Sequence, residues 1–211
     1  MANETIHLHR NDLPAGLNLG PVVAIDTETM GLNPHRDRLC LVQLSSGDGH
    51  AHLVQIVPRN LGGRGFECPN LRAVLSDPSV TKLMHFARFD VAVLQYSFGI
   101  TVWPVRCTKI AAKLIRTYTD RHGLRDLCRD LLGVELKKEQ QTSDWGAAQL
   151  TQEQLTYAAS DVIHLHALWN RLEALLIREG RLDLAKTCFG FVPARAQLDL
   201  MGYGERDIFE H

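Results

Sequence analysis

The chain has 211 residues, 45% of them hydrophobic and 22% charged, with a net charge of −1. This is an ordinary soluble globular mix, long enough for one domain with a sizeable core. It excludes a basic protein that coats long nucleic acid by charge alone, and no run approaches the roughly 18 apolar residues of a membrane helix.

In chain order, "MANETIHLHRNDLP" has no apolar signal core, and its His7 and His9 lie two apart in a strand-like stretch. "PVVAIDTE" predicts a central strand, an unbroken apolar run after Pro21. "RLCLVQLSS" and "AHLVQIVP" predict two more strands around the Gly- and Asp-rich turn "SSGDGH". "LGGRGFECP" is a loop, "NLRAVLSDP" a short helix ended before Pro78, and "VTKLMHF" a strand. "RFDVAVLQYSFG" is a helix closed by Gly99, and "ITVWPVRC" a short edge strand because of Pro104. Helices follow at about 107–117, 123–132, 151–178 and 181–188. Thr151 with Gln154 three residues later is a capping signal for the third of these. The order predicts an α/β fold, a mixed sheet flanked by helices. The five cysteines, at 40, 68, 107, 128 and 188, form no CxxC pair. Their odd count and scatter predict reduced thiols in a cytoplasm. His7/His9 and His164/His166 lack a strong metal spacing and read as surface or core histidines.

The chemistry concentrates in acids. Asp26 and Glu28 alternate along one strand, so they share a face. Like charges that close repel, and a hard cation such as Mg²⁺ or Mn²⁺ removes the repulsion. Asp90 opens the helix after "KLMHF". Asp161 follows Tyr157 by four residues, so the two share a helix face. Four acids on three elements could converge on two metal ions about 4 Å apart, the arrangement used for in-line phosphoryl displacement.

These pieces resemble a known family. "DTET" (26–29), "HFARFD" (85–90) and "YAASD" (157–161), with "QQTSDW" (140–145), resemble the ribonuclease D-type members of the DEDD 3′-to-5′ exonuclease superfamily, in the subgroup with a tyrosine. The likeness covers roughly residues 20–180. "DTETMGLNPHRDRLCLVQ" and "CTKIAAKLIRTYTDRHGLRDL" more closely resemble the nano-RNase C family, compact bacterial enzymes that degrade very short RNA. The resemblance implies an RNase H-like fold, cleavage of short single-stranded RNA to nucleoside 5′-monophosphates, and two divalent ions, Mg²⁺ or Mn²⁺. With the chemistry above, it assigns Asp26 to bridge both metals. Glu28 and Asp161 complete the site of the water-bearing ion, and Asp90 holds the second, directly or through water. Tyr157 orients the attacking water.

It also implies substrate contacts at Thr29, Met30, Leu32, His85 and Phe89. Leu32 is either a wedge between the last two bases or an ordinary turn anchor, and Phe89 either stacks on a base or belongs to the core. Arg106, Lys109, Lys113 and Arg116 fall at helical spacing, a cationic stripe opposite Ile110 and Leu114. With Tyr118, Arg121 and His122 beyond it, this region is either a pocket for a 5′-phosphate, built from Lys109, Arg116, Tyr118, Arg121 and His122, or a surface or subunit contact. Residues 1–211 read as one exonuclease domain, with 189–211 as an apolar tail used in self-assembly into a ring-like homo-oligomer, or else folded back on its own domain. Two other readings stand beside the first. One keeps the chemistry and changes the substrate, to tRNA 3′-end trimming or general single-strand RNA or DNA digestion. The other is an inactive nucleic-acid-binding module.

Overall fold

The computed structural model describes residues 5–137, 140 and 142–210. Gln141, inside the quoted "QQTSDW", and the terminal His211 lie outside these.

Six strands form one mixed sheet: β1 (Thr5–Arg10), β2 (Val22–Thr29), β3 (Leu39–Ser45), β4 (His50–Gln55), β5 (Thr81–Met84) and β6 (Val105–Cys107). Their order across the sheet is β1-β4-β3-β2-β5-β6. β2, β3 and β4 pair antiparallel, while β1 joins β4, and β5 joins β2 and β6, in parallel. β3 and β4 are buried along nearly their whole length. β6 is an edge strand, as Pro104 predicts, but only three residues long.

Among the described residues, seven α-helices flank the sheet: α1 (Pro69–Ser76), α2 (Ala87–Phe98), α3 (Thr108–Ile115), α4 (Leu124–Leu132), α5 (Gln152–Ile163), α6 (Leu165–Arg178) and α7 (Leu182–Leu200). Gly99 closes α2 with φ 62°, a left-handed conformation that glycine adopts without steric cost. Thr151 and Gln154 form the expected reciprocal capping box at the start of α5. That box fixes where the helix begins, and so the phase of Tyr157 and Asp161 upon it.

Two helix boundaries differ from expectation. The helix predicted over 151–178 breaks at His164, because its two halves serve different partners. α5 packs on β2, β3 and β4, whereas α6 packs on α3 and α4. The helix expected to end at 188 runs on to Leu200, through Gly190 and Pro193. Ala185, Phe189, Val192 and Ala196 are buried at helical spacing, and their contacts with α2, α3 and β6 outweigh the local breakers. The stretch 189–200 is therefore packed on its own domain. The exposed apolar part reduces to Phe191 and a C-terminal segment with Met201, Tyr203, Ile208 and Phe209. Among the described residues, no helix is long and apolar enough to cross a membrane.

Candidate active site

β2 is an interior strand, and its pleat sends Asp26 and Glu28 to the same face. α5 lies against β2 and brings Asp161 to them. Asp26, Glu28 and Asp161 each offer a carboxylate oxygen, and the three oxygens lie within 4.8 Å of one another. The ladder shifts register between Glu28 and Thr29, an irregularity just after the second acid. Asp90, in the first turn of α2, is buried, and its Oδ1 accepts a 2.7 Å hydrogen bond from the Thr27 hydroxyl. It thus stands beside the triad rather than within it. Gln43, fully buried on β3, donates to Asp26 Oδ2 at 3.4 Å. The sequence reading missed Gln43, although a lone amide in the apolar run "LCLVQLS" was a signal.

Electrostatically the site is under tension. Burial, then Asp90, Asp161 and Glu28, push the Asp26 carboxyl well above the usual range. Burial and the neighbouring acids raise Glu28 to about 9 and Asp161 to about 7. Burial raises Asp90 to about 7 against the hydrogen bonds it accepts. Among the described residues, none of the four forms an ion pair with a lysine, arginine or histidine. A set of oxygen donors with unrelieved repulsion fits a hard divalent cation.

Tyr157 shares the α5 face of Asp161. Burial, then Asp161, Glu28 and Asp26, push its phenol upward, so it remains a hydroxyl donor at neutral pH. Trp145, the last residue of "QQTSDW", is buried with its ring centroid 6.1 Å from that of Tyr157. Arg38 Nη2 donates to Gly146 O at 3.2 Å and ties this segment to the chain just before β3.

The expected substrate contacts divide. Met30 and Leu32 stand 50% and 83% exposed beside the acids, on a turn that is itself held rigid. Asp37 accepts from Asn33 N and from Arg36, and a Cβ on Gly31 would meet Asp37 Oδ2 at 2.4 Å. The Thr29 hydroxyl is spent on Gly31 O within this turn. His85 contacts the Thr108 hydroxyl at 2.9 Å, and burial, with Lys109, lowers its imidazole to about 3. Phe89 packs partly on the core. Its neighbour Phe86 is the more exposed ring, at φ 58° before α2, and Lys109 Nζ sits 4.0 Å over it.

The cationic stripe does not act as one unit. Arg116 is buried, and its Nη2 pairs with Asp130 at 2.6 Å. Arg106 stacks over Trp169. His122 is buried, and burial with Arg116 and Lys113 lowers its pKa. Tyr118 and Arg121 are exposed. Arg88 pairs through Nε and Nη2 with Asp199, and its Nη2 also donates to Gly204 O. A groove of about 770 Å³ runs between Leu32, His35, Phe86 and Phe89 on one side and Leu200 to Glu205 on the other.

A sequence model of the family described as 3′-5′ exonuclease matches residues 9–177. The chain belongs to the 3′-5′ exonuclease family. This exonuclease is 36% identical over 163 residues to ribonuclease D of Gluconacetobacter diazotrophicus, covering 77% of this chain and 40% of that protein. It is 33% identical over 165 residues to ribonuclease D of Escherichia coli, covering 78% and 42%. The chain therefore spans about two fifths of the length of these relatives. Among solved structures, Brucella melitensis NrnC bound to pGG is 56% identical with a TM-score of 0.92, covering 99% of this exonuclease and 100% of that chain. NrnC with bound Mg²⁺ gives 55% and 0.91, covering 98% and 99%. The mixed sheet and its helices are the RNase H-like exonuclease fold.

The raised carboxyls have a measurable consequence. In metal-free protein they hold protons more tightly when folded than when unfolded, where carboxyls titrate near about 4. Their contribution to stability is complete below that pH and is lost as pH rises through about 7 to 9. Thermal unfolding without metal should show Tm falling between pH 5 and 9, with Mg²⁺ restoring it most at the alkaline end. Asp26→Asn should flatten the profile. A metal-free Tm that climbs across that range would overturn the assignment.

Proposed function

We propose that this chain is a divalent-metal-dependent 3′-5′ exoribonuclease that hydrolyses very short RNA, above all 5′-phosphorylated dinucleotides, to nucleoside 5′-monophosphates. The observation that carries the reading is the triad of Asp26, Glu28 and Asp161, three carboxylates within ligand distance of one another. The likeness to NrnC bound to pGG supports the substrate class.

Asp26, central among the acids, would serve both of two ions, Mg²⁺ or Mn²⁺, with Glu28 and Asp161 as donors to one and Asp90, one of whose oxygens is engaged by Thr27, as donor to the other. Bound there, the ions would supply an activated water and offset the charge that develops on the scissile phosphate. Tyr157, a protonated phenol, orients that water by donating or accepting a hydrogen bond rather than by taking its proton. Asp161→Asn should leave less than about a tenth of wild-type turnover, a loss of at least ~1.4 kcal/mol in barrier. Tyr157→Phe should lower turnover by roughly 10–1,000-fold with metal affinity retained. Unaltered turnover in either variant, with chemistry rate-limiting, would sink these roles.

Leu32, exposed at the tip of a rigid turn, is placed to separate the two bases of a dinucleotide. Lys109 is the donor we favour for the 5′-phosphate, because Arg116 is committed to Asp130. Lys109 sits over the exposed Phe86 ring, and its charge acts on both His85 and His122. A charge-assisted contact of this kind contributes roughly 1.5–3 kcal/mol. Cleavage of RNAs of two, three, five and twenty nucleotides should therefore favour the 5′-phosphorylated dimer. Its kcat/KM should exceed that of the unphosphorylated dimer by at least about tenfold (~1.4 kcal/mol). Lys109→Met should shrink that ratio. Equal rates on a dimer and a twenty-mer would instead favour a general exonuclease.

We also propose that the enzyme works in the cytoplasm as a ring-like homo-oligomer that fences its active site. Phe191, Met201, Ile208 and Phe209 expose large apolar side chains on the α7 side, and Met30, Leu32 and Phe86 do so beside the acids. Burying both sets between copies would limit access to short substrates. Light scattering at micromolar concentration should give a mass above that of a dimer, and a monomer would overturn the assembly.

A further inference from the structure

On β1, His7 and His9 alternate with Leu8, and on β4, His50 and His52 alternate with Ala51. Period two puts all four imidazoles on one face of the sheet edge. The parallel register sets His7 beside His52, with His50 and His9 on the diagonals. The rings form a column in the order His50, His7, His52, His9. Neighbouring centroids lie 5.2, 4.8 and 5.3 Å apart, with planes within 15°. His7 Nε2 lies 2.9 Å from His50 Nδ1, and His9 Nε2 lies 3.0 Å from His52 Nδ1. In each pair one nitrogen carries a proton and the other offers a lone pair.

That shared proton sits where a transition-metal ion could sit. Two metal–nitrogen bonds of about 2.0–2.1 Å, at roughly right to tetrahedral angles, place their donor atoms about 3.0–3.4 Å apart. The pairs need open only slightly and turn their rings, and His7, His9 and His50 are half-buried, with room to do so. The protonated ring must pass to its other tautomer, which frees the facing nitrogen. Burial, with the neighbouring imidazoles, holds His9 below the ordinary histidine range and His52 at about 4.

We propose that the His7–His50 and His9–His52 pairs are sites for borderline divalent transition metals (Cu²⁺, Ni²⁺ or Zn²⁺), one ion per pair, bound through two imidazole nitrogens and completed by water. The donor set separates them from the carboxylate centre, since imidazole suits these ions and not Mg²⁺. So does position. His7, His52, Leu44 and Ile25 are register partners on one face, while Asp26 and its partner Gln43 lie on the other. β1 pairs in the sheet with β4 alone, so metal at these sites staples the edge strand to its neighbour.

The probe is Cu²⁺, titrated into the full chain with excess Mg²⁺ present, and the readout is the imidazole-nitrogen modulation in pulsed EPR, which carboxylate-bound copper does not give. Wild-type protein should show that modulation from stoichiometric copper, with two imidazoles per ion. The double variant His7→Gln/His9→Gln should lose it while keeping its circular dichroism and its Mg²⁺-dependent nuclease activity. Should the double variant misfold, His50→Gln, at the start of β4, should halve the imidazole-bound copper. Absence of modulation in the wild type, or the same modulation in a folded variant, would overturn the proposal.

Discussion

The mutual repulsion of Asp26, Glu28, Asp90 and Asp161 is the constraint around which the rest of the domain is arranged. Carboxylates do not gather under burial unless the scaffold forces them together, and each here is displaced upward from its ordinary titration. The forcing comes from two rigid bodies. β2 is anchored to β5 over Val22–Ala24 and pairs with β3 through Asp26 and Glu28, so the spacing of the two acids is that of the pleat. α5 begins at a capping box and lies flat on β2 to β4, so Asp161 and Tyr157 arrive at a fixed height. The stability given up at the site is recovered in the core, where β3, β4 and the inner faces of α5 and α6 are almost wholly out of water.

The second layer holds those carboxylates without neutralising them. Thr27 and Gln43 contribute hydrogen bonds but no charge. The nearby guanidinium of Arg88 is drawn off by Asp199, and that of Arg116 by Asp130. The guanidiniums of Arg88 and Arg116 are thus committed elsewhere, which leaves the carboxylate oxygens free to act as ligands. His85, kept uncharged by burial and Lys109, adds polarity without a competing cation.

Much of this was legible in the sequence, and the limits were physical. Period two in "DTE" and a four-residue step in "YAASD" are local rules, so the faces of Asp26, Glu28, Tyr157 and Asp161 could be read without a structure. Asp90 was placed on the right helix, but its hydrogen bond to Thr27 spans 63 positions and has no local signature. The ion pairs of Arg88 and Arg116 were equally invisible. Their partners lie 111 and 14 positions away, and an unpaired arginine looks the same in sequence as a paired one. The length of α7 was misjudged because Gly190 and Pro193 are local breakers overruled by burial of Phe189 and Val192. The histidine column was invisible for a simpler reason. Each His-x-His is unremarkable alone, and only the β1–β4 register brings the two together.

The Asp199 junction has one more consequence. Asp199 takes both Arg88 on α2 and Arg195 on α7, while His35 Nε2 donates to Leu200 O from the turn that carries Leu32. The two jaws of the groove beside Leu32 are therefore joined at its rim by a few polar contacts, beyond the apolar packing of α2 on α7. Its gauge is set like a calliper by one carboxylate, and changes in ionic strength or in that single side chain act on the opening while the sheet and its acids stay where they are.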